Sequence, residues 1–312
     1  MSPLQSLLDE YLALRRALGH KLRSQGQELQ QFVAFAGERG ADHITLDLAM
    51  GWVMRQPQVN AGEWRRRRLG IIRQFAEYCS GHDPRTVIPP PDLLPDRYQR
   101  PTPCICSDAE VARLLKAAEG LPSITGLRPR TYTTIFGLYA VAGLRCSEAV
   151  QLDRDDVDLG DRVLTIRGTK FGKSRLVPIH STTADVLRDY ADCRDRLCRT
   201  PWSPSFFLSE RGTRLNHSTV RKTFLSLSRQ IGLRRPGDPH GPRLHDLRHR
   251  MAVNTLLRWY QDGVDVERHL PELSTYLGHV RVSDTYWYLT ATPELLHRAM
   301  IRVEQADLGA ST

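Results

Sequence analysis

The stretch HDLRHRMAVNTLLRWYQDGVDVERHLPELSTYLGHVRVSDTYWYL, residues 245–289, decides how the chain is read. Its apolar residues recur at helical spacing, which predicts helices over about 244–258 and 265–277 and a short one near 282–289. His245 and Arg248 are three residues apart, so one helix face carries both and can turn them toward a single anion. His279 follows in Leu277-Gly278-His279, and Tyr288 comes nine residues later. That order of groups points to phosphate chemistry with a tyrosine nucleophile. Tyr286 is a competing hydroxyl, and helical spacing cannot bring both tyrosines to one phosphate.

Composition agrees with a polyanionic partner. The net charge is +9 and the isoelectric point near 9.5, with nucleic acid the first candidate among polyanions. Of 44 basic residues only five are lysine. Arginine suits bidentate phosphate contacts, although a coding bias toward arginine is the better explanation of the overall ratio. Any lysine in a chemically sensible place therefore stands out. The six cysteines are scattered: Cys104 and Cys106 are too close for a zinc CxxC pair, and Cys193 and Cys198 lack partner ligands, so reduced and mostly buried thiols are expected. His245-x-x-x-His249 has the spacing of zinc-binding helices but lacks the interior glutamate and a third ligand, so no metal is expected. Residues 4–18 mix charges into an amphipathic pattern and no apolar run reaches membrane-spanning length, which predicts a cytoplasmic, nucleoid-associated protein.

The expected organisation is a helical domain over 1–80, a proline-rich linker over 81–104, and a second domain over 105–312. Seven prolines between residues 81 and 103 exclude a continuous helix or a central strand there. Before them, helices are predicted at 4–18, 25–39, 45–55 with Thr45 as N-cap, and 62–79. The last of these carries Arg65, Arg66, Arg67 and Arg68 with no interspersed acid, and mutual repulsion favours a DNA-backbone contact for all four. Beyond the linker, Ser107 and Glu110 form a capping box for a helix through Ala118, and a helix from about Arg130 stops at Gly143. RVLTIR (162–167) and SRLVPI (174–179) alternate as strands of a hairpin, with Lys170 and Lys173 in its turn. Helices follow at about 182–198 and 217–231, and one opens at Pro293. The fold class is mainly α with a small antiparallel β-sheet (α+β).

In Gly143-Leu-Arg-Cys-Ser-Glu148, Arg145 stands at the start of a new helix, N-capped by Ser147, where backbone amides already favour an anion. This box, the lysine-bearing hairpin, HDLRH, LGH and the tyrosine nine residues beyond it occur in a set order. Over about 105–305 the chain resembles the tyrosine recombinase (phage integrase) family. The resemblance implies a SAM-like four-helix core-binding domain followed by the family's catalytic domain. It implies catalytic roles for Arg145, Lys170, His245, Arg248, His279 and Tyr288, supporting roles for Glu148 and His249, and a DNA-contacting Lys173. Register from His279 then selects Tyr288, leaving Tyr286 as a packing residue.

The chemistry so implied is attack of the Tyr288 hydroxyl on a DNA phosphodiester, giving a 3′-phosphotyrosyl link and a 5′-hydroxyl with no need of ATP, metal or other cofactor. Arg145 and Arg248 would hold the non-bridging oxygens, His279 would donate to the phosphate, His245 would take the tyrosine proton, and Lys170 would protonate the leaving oxygen. The expected partners are double-stranded DNA, clamped between the two domains, and three further copies of the chain forming a homo-tetramer on paired sites, with related recombinases as further candidates. Apolar residues Leu295, Leu296, Ala299, Met300 and Val303 suit the last helix to docking on a neighbouring subunit. With the first helix beginning near Met1, a compact recombinase of a transposon, integron-like or resolution system is expected. The rival functions are a type IB topoisomerase, a non-catalytic DNA-binding protein and a metal-dependent nuclease or transposase.

Overall fold

A computed structural model describes residues 2–55, 61–94, 103–168, 174–235, 237–238, 241–290 and 292–310. The chain divides into two compact units, Met1–Arg100 and Pro101–Thr312.

The first unit is built from α1 (Pro3–Ala17), α2 (Arg23–Glu38), α3 (Leu46–Met54) and α4 (Ala61–Ser80). Thr45 caps α3 as its sequence predicts, its hydroxyl accepting from the Leu48 amide at 3.1 Å. Each helix turns one apolar stripe inward, and Leu8, Phe32, Ala49, Ile72 and Phe75 meet in a closed core. Residues 81–94, expected as the start of an extended, semi-rigid linker, are tied to this unit. The Arg73 guanidinium donates to the Pro89 and Pro90 carbonyls at 2.7 and 2.6 Å, the Val87 amide donates to Ile44 O at 2.8 Å, and Leu93 and Leu94 pack on the core. Proline leaves carbonyls without a helical or ladder partner, and an arginine fork supplies the donors.

The second unit opens with α5 (Asp108–Glu119), whose capping box closes as read: Ser107 Oγ accepts from the Glu110 amide and the Glu110 carboxylate from the Ser107 amide. Next come α6 (Leu127–Ala142), a mostly buried central helix, and the short α7 (Cys146–Gln151). The sheet has three strands rather than the two of the predicted hairpin. β1 (Val157–Asp158), β2 (Val163–Ile166) and β3 (Arg175–Pro178) pair antiparallel in order, with Val157 opposite Leu164 and Leu164 opposite Val177. A two-residue strand such as β1 leaves no periodicity to detect. Helices α8 (Ser181–Leu197) and α9 (His217–Gln230) complete the core around Phe136, Phe207 and Phe224.

A separate apolar cluster organises the C-terminal elements: α10 (Asp246–Gln261), α11 (Val266–Leu277), α12 (Ser283–Tyr286), a 3-10 turn (Trp287–Thr290) and α13 (Pro293–Ala310). Val266, Leu270, Leu273 and Leu277 form the buried stripe of α11, so packing holds that helix despite Pro271 inside it. Leu295 of α13 is buried against this cluster in the same chain, whereas Leu296 and Met300 are exposed. The six cysteines are unpaired, and only Cys79 and Cys106 are fully buried. Among the described residues no helix is long and apolar enough to cross a membrane.

Candidate active site

The site is assembled where three helix ends meet within the second unit. Gly143 ends α6 in the left-handed region at φ +59°, and Gly278 ends α11 at φ +70°. A helix C-terminus leaves carbonyls without intrahelical donors and concentrates partial negative charge. Three arginines meet that need at α11, on three consecutive carbonyls. Arg175 Nε donates to Tyr276 O at 2.8 Å, Arg248 Nη2 to Leu277 O at 2.6 Å, and Arg145 Nη2 to Gly278 O at 2.7 Å.

Arg248 also donates through Nη1 to Gly143 O at 2.7 Å, so one guanidinium joins the ends of α6 and α11. It is 1% exposed. Burial pushes its pKa down to about 10, which leaves it charged at neutral pH. Two of its five N–H donors are engaged by these carbonyls, and a phosphate could take others.

Helix α7 starts two residues before the predicted point. Arg145, not Ser147, occupies the N-cap, because the Glu148 carboxylate reaches back to accept the Arg145 amide at 2.9 Å. Glu148 also accepts from Arg145 Nη1 at 2.7 Å and from Arg175 Nη1 and Nη2 at 3.0 and 2.9 Å. Burial acts to raise its pKa, but the Arg175 and Arg145 contacts outweigh burial and hold it at about 2. Three guanidiniums and one carboxylate leave an excess of positive charge.

His279, just past the end of α11, shares a 2.7 Å hydrogen bond between Nδ1 and Thr285 Oγ1. Burial, then repulsion from Arg248 and Arg145, lowers its pKa to about 4. Its ring stacks on Tyr288, with centroids 6.1 Å apart and planes 16° from parallel. Tyr288 is 1% exposed and shares its hydroxyl with His249 Nδ1 at 3.2 Å. Tyr286 is 49% exposed, so the expectation that it packs is wrong. His245 stands at the N-cap of α10, its ring 4.6 Å from that of His249. Although His245 is exposed to solvent, the protein packed around it, then the charges of His249 and Arg248, depress its pKa to about 3. The hydroxyl contact expected of His245 is thus made by His249, one turn further along the helix.

The structure therefore brings Arg145, Glu148, Arg248, His249, His279 and Tyr288 into one cluster, with His245 at its edge. Lys170 and Lys173 lie outside the described residues. Among the described residues no group of three or more His, Cys, Asp or Glu is placed to hold a metal.

The arginine run in α4 separates into unequal members. Arg68 is 4% exposed, with its guanidinium 3.1 Å from the Trp52 ring centroid and 4.2 Å from that of Trp64. Its guanidinium is therefore engaged in packing between two tryptophans, unlike the rest of the run. Glu28 of α2 pairs with Arg67 and lies 3.9 Å from Arg68, so a carboxylate from another helix relieves the repulsion that had suggested a bound phosphate. Arg65 and Arg66 are half-buried, and Arg67 is exposed.

Sequence reading missed Arg175 and Thr285. A signal for Arg175 existed: it is two residues from Val177, so strand alternation puts it on the inward face, while Leu176 is exposed. An arginine on the inward face of a strand requires a buried acceptor.

Residues 106–294 match the model of the phage integrase family. A Sinorhizobium fredii protein described as integrase/recombinase y4rB is 50% identical over 98% of this chain and 98% of its own length. The tyrosine recombinase XerC of Herpetosiphon aurantiacus is 30% identical, covering 89% of this chain and 87% of its own. Among solved structures, the fold is similar to that of the XerH site-specific recombinase bound to palindromic difH substrate, with a TM-score of 0.65 at 17% identity, over 89% of this chain and 78% of that one. It is equally similar to the Tn1549 transposon integrase in complex with transposon right end DNA, with a TM-score of 0.65 at 15% identity, over 97% of this chain and 100% of that one.

Proposed function

We infer the reaction from a premise now in hand, that the chain belongs to the phage integrase family: it is a site-specific tyrosine recombinase, an enzyme that cuts and rejoins DNA strands. The observation that carries the residue assignments is the position of Tyr288, whose hydroxyl lies in the same cluster as Arg145, Arg248 and His279 of its own chain. Tyr288 attacks the scissile phosphorus, forming a 3′-phosphotyrosyl bond and releasing a 5′-hydroxyl oxygen. Arg145 and Arg248 hold the non-bridging oxygens as charge grows on them, and His279 donates a hydrogen bond to the same phosphate. The tyrosine proton passes to His249, which already contacts the hydroxyl, with His245 beside it. Lys170 gives a proton to the leaving 5′ oxygen. The link conserves the bond energy, so resealing runs as the reverse attack by a 5′-hydroxyl, without ATP, metal or cofactor.

Residues 1–80 act as the core-type DNA-binding domain, 81–104 as the connection, and 105–312 as the catalytic domain. The substrate is double-stranded DNA held largely through its backbone. Four copies act on two paired sites, passing through a Holliday junction, and the exposed Leu296 and Met300 of α13 suit contact with the next copy. The chain works in the cytoplasm, on the nucleoid, as a recombinase of a mobile element or resolution system.

The test is covalent capture. Nicked duplexes selected from a randomised pool by the wild-type chain should give a denaturation-resistant adduct with it and none with Tyr288→Phe. Undiminished capture by that variant would remove Tyr288 as nucleophile.

A further inference from the structure

Arg175 reaches the cluster from strand β3, and the reaction described above gives it no task. Its side chain is 11% exposed. Nη1 and Nη2 sit on the two oxygens of Glu148 at 3.0 and 2.9 Å, the planar fork-to-carboxylate match that only arginine makes, and Nε is fixed by Tyr276 O at 2.8 Å. The guanidinium lies directly over Gly278, where an added Cβ would stand 2.6 Å from Nη1 and 2.8 Å from Cζ.

Glu148 is a buried carboxylate with two arginines on it. Arg145 uses Nη1 for Glu148 and Nη2 for Gly278 O, so its two arms are divided between two acceptors. A buried carboxylate deprived of Arg175 would draw the whole fork of Arg145 into a bidentate pair, because an unsatisfied buried charge costs more than the single carbonyl contact at Gly278. We propose that Arg175 is a positioning residue for DNA cleavage: by filling both oxygens of Glu148 it keeps Arg145 divided between Glu148 and Gly278, in the place where it meets the scissile phosphate. This rests on the reading of Arg145 as a phosphate ligand.

The experiment compares wild type, Arg145→Ala, Arg175→Gln and Arg175→Lys, each in full length, on the selected nicked duplex with either a normal or an uncharged methylphosphonate linkage at the scissile position. A neutral linkage needs less positive charge in the transition state, so a variant whose fault lies at Arg145 regains rate on it. Arg175→Gln is expected to slow cleavage of the normal linkage by about 10²-fold, the scale of a misplaced catalytic group. Most of that loss should be recovered on methylphosphonate, as in Arg145→Ala. Arg175→Lys keeps the charge without the fork and should show the same substrate-dependent loss, which guards against a folding defect in the glutamine variant. In the double variant Glu148→Gln/Arg175→Gln, cleavage should be no slower than in the slower single variant, since both act through one contact. Wild-type rates in both Arg175 variants, or a loss equal on the two linkages while Arg145→Ala recovers, would overturn the inference alone. An Arg145→Ala loss that does not recover would overturn the phosphate-ligand reading and the inference with it.

Discussion

Two histidines contribute to the acid side of this protein's stability. His245 and His279 have folded pKa values lowered to about 3 and about 4, against an ordinary value of 6.5, so both are neutral in the native state at neutral pH. Between pH 6.5 and 4 the unfolded chain binds more protons than the folded one, so stability rises with pH and falls as acid is added. The melting temperature should therefore drop from pH 7 to pH 4, and His279→Asn should flatten that slope; an unchanged slope would mean that His279 titrates normally. Arg68 provides a second residue-scale test. Packed against Trp52 and Trp64 with its charge near Glu28, it contributes through burial and cation–π contact, and Arg68→Ala should cost about 1–3 kcal/mol of stability. Its DNA affinity, measured below the melting temperature, should stay close to that of wild type. Sequence made the four arginines look alike, because a run of identical residues does not say which one a neighbouring helix will cover.

At the scale of elements, the end of α11 does most to shape the site. Gly278 satisfies two demands: a left-handed backbone at φ +70° and room for the Arg175 guanidinium. Gly278→Ala should destabilise the protein by about 1–3 kcal/mol, read as a lower midpoint in denaturant, because a Cβ is strained in that region and has no free space. Cleavage should fall further than the lost stability explains, since the alanine displaces Arg175 and, through Glu148, Arg145. Most of the helices, their caps at Thr45 and Ser107 and the stop at Gly143 were legible, because capping and periodicity are local properties of the chain. The third strand and the start of α7 were not: β1 exists only by pairing with β2, and α7 is capped by a side chain from inside it.

For the whole molecule, affinity for DNA should come largely from released counterions. The slope of log K against log salt steepens by about 0.9 for each phosphate neutralised, so removing Arg65 and Arg66 together should make it shallower by about 2 if both meet the backbone. An unchanged slope would return those residues to plain solvation. The order of motifs along the sequence by itself determined the family and which side chains to nominate as suppliers of charge and as nucleophile, with Tyr288 ahead of Tyr286. Groups scattered over 144 positions, from Arg145 to Tyr288, can be recognised by type and order. Only the tertiary structure decided how they are held. The ends of α6 and α11 are far apart in sequence, and their unpaired carbonyls draw Arg248, Arg145 and Arg175 to one place. Likewise, the imidazole that meets the Tyr288 hydroxyl is chosen by the packing of α10 against the final turn. Hydrogen bonds across such separations depend on how helices pack, and no local pattern in the chain encodes that.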